Sequence, residues 1–225
     1  MSLIFKNTFT LLNKHIHYMH ALNTNAYKLK DLILFDVTLR DGLQSINNCY
    51  NLNHKKQILD SIIEQKNPQF IEIGSIVSPK ILPQMENSIE LYKYATTTYN
   101  KVHFPKFYML IPNMKALNIA KENKIKNVSL ITSVSDEFQK KNINKTLEET
   151  KKNISEMVSI NYFDNMKLYI SCINKCPIYG VINNDVVVDE ILSYTKHDNI
   201  NEFCISDTCG NLNFQNFKYI IDNVL

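Results

Sequence analysis

The chain has 225 residues, 44% hydrophobic and 21% charged, with a formal net charge of +3 and five cysteines. Its length suits one domain with a sizeable core, its small charge argues against a nucleic-acid partner, and no apolar run reaches the roughly 18 residues of a membrane span. An odd cysteine count without a convincing secretory signal argues against a disulfide framework and for a reducing compartment, cytoplasm or mitochondrial matrix.

Residues 1–30 stand apart. Lys6, Lys14, Lys28 and Lys30 precede the first carboxylate, Asp31, and Phe5, Phe9, Leu11 and Leu12 fit one helical face. The segment reads as an N-terminal extension or a mitochondrial targeting segment, although it has no arginine. His15, His17 and His20 invite a metal reading, but no strand context accompanies them.

From Asp31 onward the pattern is apolar run, polar loop, helix-like segment, and residues 31–225 read as one domain. Candidate strands are 32–37, 70–74, 106–111, 127–132, 166–172 and 202–206; helical spacing occupies 53–66, 80–97, 113–123, 146–160, 184–195 and 213–224. Six strand–helix units in series predict an α/β fold with a parallel sheet, either doubly wound or a TIM-type (β/α)8 barrel. No Gly-x-Gly-x-x-Gly follows any strand, which weakens the dinucleotide-binding alternative. At about 32 residues per unit, a complete eight-unit barrel would need roughly 260 residues, so the expectation is an incomplete barrel of about six units.

The stretch at 32–35 reads as a strand buried on both faces, and it runs into Arg40-Asp41-Gly42. A cation beside a carboxylate at a strand's C-terminal end suits an active site and also suits an ordinary ion pair at a loop mouth. Glu72 alternates with Ile71 and Ile73 and so faces away from them; inside a barrel it needs a cation, which Arg40 supplies. Only four glycines occur, Gly42, Gly74, Gly180 and Gly210, and they are expected where φ is positive or backbones approach closely. Cys172 and Cys176 read as buried thiols or as a redox or zinc pair that lacks a second pair. Residues 135–144, with Lys140 and Lys141, read either as a loop contacting phosphates or as a solvated helix entry.

Seven ordered patches resemble the 3-hydroxy-3-methylglutaryl-CoA lyase family. They are Arg40-Asp41-Gly42-Leu43-Gln44; Glu72 and Ser75 with Val77-Ser78-Pro79-Lys80 and Pro83-Gln84-Met85; Pro112-Asn113-Met114-Lys115; Ser135-Asp136-Glu137-Phe138; Lys140-Lys141-Asn142-Ile143-Asn144; Ser171-Cys172 with Cys176-Pro177; and Asp207-Thr208. The resemblance implies a TIM barrel, a divalent cation (Mg2+ or Mn2+), and cleavage of the acyl-CoA thioester 3-hydroxy-3-methylglutaryl-CoA to acetyl-CoA and acetoacetate. It implies Asp41 as metal ligand, Arg40 as the catalytic group that stabilises an enolate oxygen with Glu72 in support, and Arg40, Gln44, Asp207 and Thr208 as substrate contacts. The family's His-x-His metal pair on strand seven does not follow Asp207, so the expectation is a lyase-type chain, truncated and with an incomplete metal site. Its two open sheet edges call for a rearrangement, a second copy or a complementing chain. The alternatives are a non-catalytic remnant or binding protein of the same fold and a related synthase that condenses acetyl-CoA with a 2-oxo acid.

Overall fold

Each long parallel strand here is an apolar run covered on both faces, and a helix follows it to cover one of them. The computed structural model describes residues 2–6, 33–66 and 68–225. The strands are β1 (Ser2–Lys6), β2 (Phe35–Asp36), β3 (Phe70–Ser75), β4 (Lys106–Leu110), β5 (Asn127–Ser133), β6 (Asn165–Ser171), β7 (Lys175–Cys176), β8 (Gly180–Val181) and β9 (Glu202–Ser206). The α-helices are α1 (Leu52–Gln65), α2 (Ser88–Thr98), α3 (Met114–Glu122), α4 (Asp136–Ile143), α5 (Leu147–Val158), α6 (Asn184–Thr195) and α7 (Phe214–Val224).

Strands β2, β3, β4, β5, β6 and β9 lie side by side in chain order, all parallel, and β1 pairs antiparallel with the outer edge of β9. The short β7 and β8 form a separate antiparallel hairpin. This is an α/β sheet of six successive units, an incomplete barrel as the sequence implies. Among the described residues no helix is long and apolar enough to cross a membrane.

Side chains of period two divide the sheet into two faces. Ile71, Ile73, Phe107, Met109, Leu168 and Ile170 join a core with Leu59, Leu91, Leu117, Ile154 and Ile191 of the helices. The opposite, inner face carries a second small cluster of Leu110, Tyr169 and Cys204 together with buried polar groups, among them Glu72, Lys167 and Glu202. Asparagine, abundant in this sequence, begins four of the helices: Asn51, Asn113, Asn183 and Asn213 each accept a backbone N–H with the side chain. Thr146 and Glu149 cap α5 reciprocally.

Three expectations need correction. The first strand is not a run over 32–37 covered on both faces: only Phe35 and Asp36 pair, with β3, while Ile33 is 57% and Leu34 52% exposed. They lie where the chain enters the last strand of the sheet, which has no neighbour on its far side among the described residues. The helix expected from residue 80 starts at Ser88, after a 3-10 turn at Pro83–Met85, because Pro83 supplies no amide to a preceding helical turn. The outer edge of β9 is not open either, since β1 occupies it. The histidines of the leader lie outside the described residues.

Candidate active site

Beyond β2 the backbone makes a wide π-type turn, Thr38–Gly42, in which the amides of Arg40, Asp41 and Gly42 all donate to Val37 O at 3.1, 2.8 and 3.1 Å. Such turns are uncommon and concentrate at functional sites. Asp36 Oδ1 fixes its entry by accepting Thr38 N at 2.9 Å. The turn drives Leu39 into the core and carries Arg40 inward, leaving each almost fully buried.

Arg40 Nε donates to Glu72 Oε2 at 2.5 Å, and Nη1 donates to Asp41 Oδ1 at 2.7 Å. Glu72 is wholly out of solvent, whereas the Asp41 side chain is 63% exposed. The guanidinium carbon lies 5.2 Å from the centre of the Tyr169 ring. Glu72 receives more than Arg40: Tyr169 Oη donates to its two oxygens at 3.3 and 3.2 Å, and Lys167 Nζ lies 3.9 Å from Oε1. Burial alone would push the Glu72 carboxyl up, but Arg40 and Lys167 outweigh it and hold the group below the usual range. Burial likewise opposes the charge on Arg40, and Glu72, Tyr169 and Asp41 overcome it. The pair is therefore a fixed, ionised unit.

Arg40 is also the sole arginine in a chain with 25 Lys and Arg residues. Every other such cation is a lysine, so the one guanidinium sits where a planar, forked donor is required. This signal was available in the sequence. So was Lys167: Met166-Lys167-Leu168-Tyr169-Ile170 alternates as the Glu72 strand does and puts Lys167 and Tyr169 on the inner face.

The remaining candidate residues make other contacts. Asp207 Oδ2 accepts Leu212 N at 2.7 Å, and its Oδ1 is buried with no hydrogen-bond partner among the described residues. It borders a cavity of about 240 Å3 lined by Ile173, Ile205, Leu212, Phe214 and Phe217. Thr208 Oγ1 accepts the amide of Cys172, a residue held in the left-handed region at φ 65°. Gln44 is exposed. No hydrogen bond or ion pair joins Gln44, Asp207 or Thr208 to Arg40, Asp41 or Glu72 among the described residues. Cys172 and Cys176 are both buried; Cys176 Sγ accepts Ser135 Oγ at 3.0 Å and the amides of Ile178 and Tyr179 at 3.3 Å. Residues 136–143 form helix α4, capped by Ser135, with Lys140 paired to Asp136.

Among the described residues no three His, Cys, Asp or Glu side chains gather to hold a metal. Asp41 is a single carboxylate already bonded to Arg40, and Mg2+-type sites combine one or two carboxylates with substrate oxygens and waters. The donors described here do not by themselves make a divalent-cation site.

A family model described as HMGL-like matches residues 31–225. The chain is 30% identical over 196 residues to the mitochondrial hydroxymethylglutaryl-CoA lyase of Macaca fascicularis, covering 85% of this chain and 58% of that protein. It is 28% identical over 156 residues to the 3-hydroxy-3-isohexenylglutaryl-CoA/hydroxymethylglutaryl-CoA lyase of Pseudomonas aeruginosa, covering 68% of this chain and 50% of that one. Among solved structures, an HMG-CoA lyase of Acinetobacter baumannii in complex with coenzyme A and 3-methylmalate superposes with a TM-score of 0.78 at 25% identity, over 89% of this chain and 64% of its own. The chain thus spans about half to three-fifths of the curated relatives' length.

Proposed function

Because the chain belongs to the HMGL-like family, we propose that its Arg40 site serves carbon–carbon bond cleavage of 3-hydroxy-3-methylglutaryl-CoA, giving acetyl-CoA and acetoacetate. The observation that carries this reading is the buried guanidinium of Arg40, held by Glu72 on one side and Asp41 on the other. When the bond breaks, its electron pair passes to the thioester α-carbon and negative charge grows on the thioester oxygen; the C3 hydroxyl gives up its proton as it becomes the ketone of acetoacetate, and the enolate takes up a proton to give acetyl-CoA. A cation already oriented before the reaction opposes that charge without reorganising. Two of the guanidinium's N–H groups are committed to carboxylates, which fixes the plane and leaves other N–H groups for a substrate oxygen. Glu72 holds Arg40 in place; Asp41 completes the fork at the solvent side, where substrate would enter. Gln44, Asp207 and Thr208 are the further substrate contacts of this reading, Asp207 through its Oδ1, which has no partner among the described residues. The relative solved with coenzyme A supports an acyl-CoA thioester as the substrate class.

The family's dependence on a divalent metal makes Mg2+ or Mn2+ the expected ion and Asp41 its ligand in this chain. The described residues gather no group of three His, Cys, Asp or Glu side chains around an ion, so no step of the reaction is assigned to it. That same observation favours a second reading, a chain that binds acyl-CoA without turning it over. Incubating the protein with 3-hydroxy-3-methylglutaryl-CoA and Mn2+, and following acetoacetate, separates the two. Acetoacetate that disappears with Arg40→Gln supports the lyase. Binding of coenzyme A by calorimetry without any acetoacetate supports the second reading.

A further inference from the structure

We propose that Lys167 is a positioning residue for Arg40, acting through Tyr169 and Glu72, and that it fixes the direction in which the one guanidinium points.

An ammonium group taken wholly out of water is costly unless something definite receives it. Lys167 is 1% exposed, on the inner face of β6. Its Nζ donates to Tyr169 Oη at 2.6 Å, lies 2.9 Å from the centre of the Phe35 ring and 4.1 Å from that of Tyr169, and has Tyr108 at 5.8 Å. Three aromatic rings from three strands therefore box the cation, and one hydroxyl accepts a hydrogen bond from it. That hydroxyl is thereby turned: with its lone pair engaged by Lys167, Tyr169 directs its own proton to the Glu72 carboxylate at 3.2–3.3 Å. Glu72 Oε2 receives Arg40 Nε. The route from Lys167 to Arg40 is thus a continuous series of donor–acceptor contacts in a water-poor interior, where each bond strengthens its neighbour.

The charged and titratable groups around Lys167 are Glu72 from β3, Tyr108 from β4, Tyr169 from β6, Glu202 and Cys204 from β9, and Arg40 from the turn after β2. Two carboxylates face two cations there. Removing Lys167 leaves Tyr169 free to reverse its hydroxyl and takes one cation from Glu72, which keeps Arg40 and Ser129, so the carboxylate and the guanidinium are less restrained. Packing alone does not require a lysine at this position; a methionine of similar length would fill the aromatic box.

The effect on turnover rests on the lyase reading, but the geometry can be tested without it. Because Arg40 is the sole arginine, the protein labelled with 15N gives a single arginine Nε–H signal, shifted downfield and protected from exchange by its short bond to Glu72. In Lys167→Met that signal is expected to move upfield and its exchange to accelerate at least about tenfold, while the backbone amide spectrum keeps its dispersion. Tyr169→Phe, which keeps the lysine and removes the relay, is expected to do the same and serves if Lys167→Met does not fold. An Nε–H signal unchanged in position and protection in either folded variant overturns the inference. In the cleavage assay, Lys167→Met is expected to lower kcat about tenfold or more with KM within about twofold, since misplacing a catalytic group by about 1 Å costs up to about 10²-fold. If the wild-type protein cleaves nothing, the lyase reading fails and the Nε–H result still decides the role of Lys167.

Discussion

Arg40 and Glu72 are 32 residues apart in the chain and 2.5 Å apart in space, one on a π-type turn and the other in the middle of a strand, both hidden from solvent. A pair of this kind adds little net stability when intact, yet breaking it leaves a buried charge without its partner. Glu72→Ala is therefore expected to destabilise the protein by about 3–5 kcal/mol in urea unfolding. Arg40→Lys keeps the charge but loses the forked geometry; it is expected to cost about 10²–10³-fold in turnover with a smaller loss of stability. Equal stability of Glu72→Ala and wild type would contradict the buried-pair account.

Burial lowers the Lys167 ammonium from its ordinary 10.5 to about 8. Between these values the unfolded chain binds more protons than the folded one, so this group makes the fold more stable as pH rises through the window. Below about 8 both states are protonated, and the group contributes no pH dependence. The unfolding free energy of wild type minus that of Lys167→Met is expected to rise by up to about 3 kcal/mol from pH 8 to 10.5. Urea melts of both proteins across that range measure it, and a flat difference would show that Lys167 titrates normally.

Gly74 lies two residues beyond Glu72, at a β-bulge between β3 and β4. A Cβ added there would fall 2.3 Å from Ser88 Oγ and 2.8 Å from Ser88 Cβ, at the start of α2. Gly74→Ala must push strand and helix apart, at an expected cost of about 1–3 kcal/mol by thermal or urea unfolding. Adding Ser88→Gly should restore part of the loss. No loss in the single variant would mean the helix yields freely.

Ile33 and Leu34 leave an apolar strip exposed at the β2 edge, a surface prone to pairing with another chain. Ile33→Lys with Leu34→Glu is expected to reduce concentration-dependent association, seen by light scattering, and to shift stability by no more than about 0.5 kcal/mol. Unchanged association would place the contact elsewhere.

The sequence makes much of this legible for a physical reason: where local pattern and tertiary demand agree, the pattern suffices. Alternation in Phe70-Ile71-Glu72-Ile73 assigns Glu72 to the inner face, and the structure seats it there against Arg40. Gly180 and Gly210 have positive φ, and Gly74 is a close approach, as glycine scarcity implies. Gly42 is different: an added Cβ would meet nothing nearer than 3.7 Å, so neither reason applies to it. The π-type turn escapes sequence reading because three amides sharing one carbonyl leave no residue signature. The hairpin of β7 and β8 has two residues per strand, too few to show a period. Strand β2 is short because an edge strand's length is set by its neighbours, which a run of apolar residues does not report. The resemblance makes Asp207, Thr208 and Gln44 companions of Arg40, and no bond among the described residues connects them to it.

We propose that the guanidinium of Arg40, fixed by Glu72, stabilises charge during cleavage of an acyl-CoA thioester. The most direct test is the rate of acetoacetate formation from 3-hydroxy-3-methylglutaryl-CoA with Mn2+, compared between wild type and Arg40→Lys at saturating substrate. The account predicts measurable cleavage by wild type and a fall of at least about 100-fold in the variant; equal rates, or no cleavage by either while coenzyme A still binds, would contradict it.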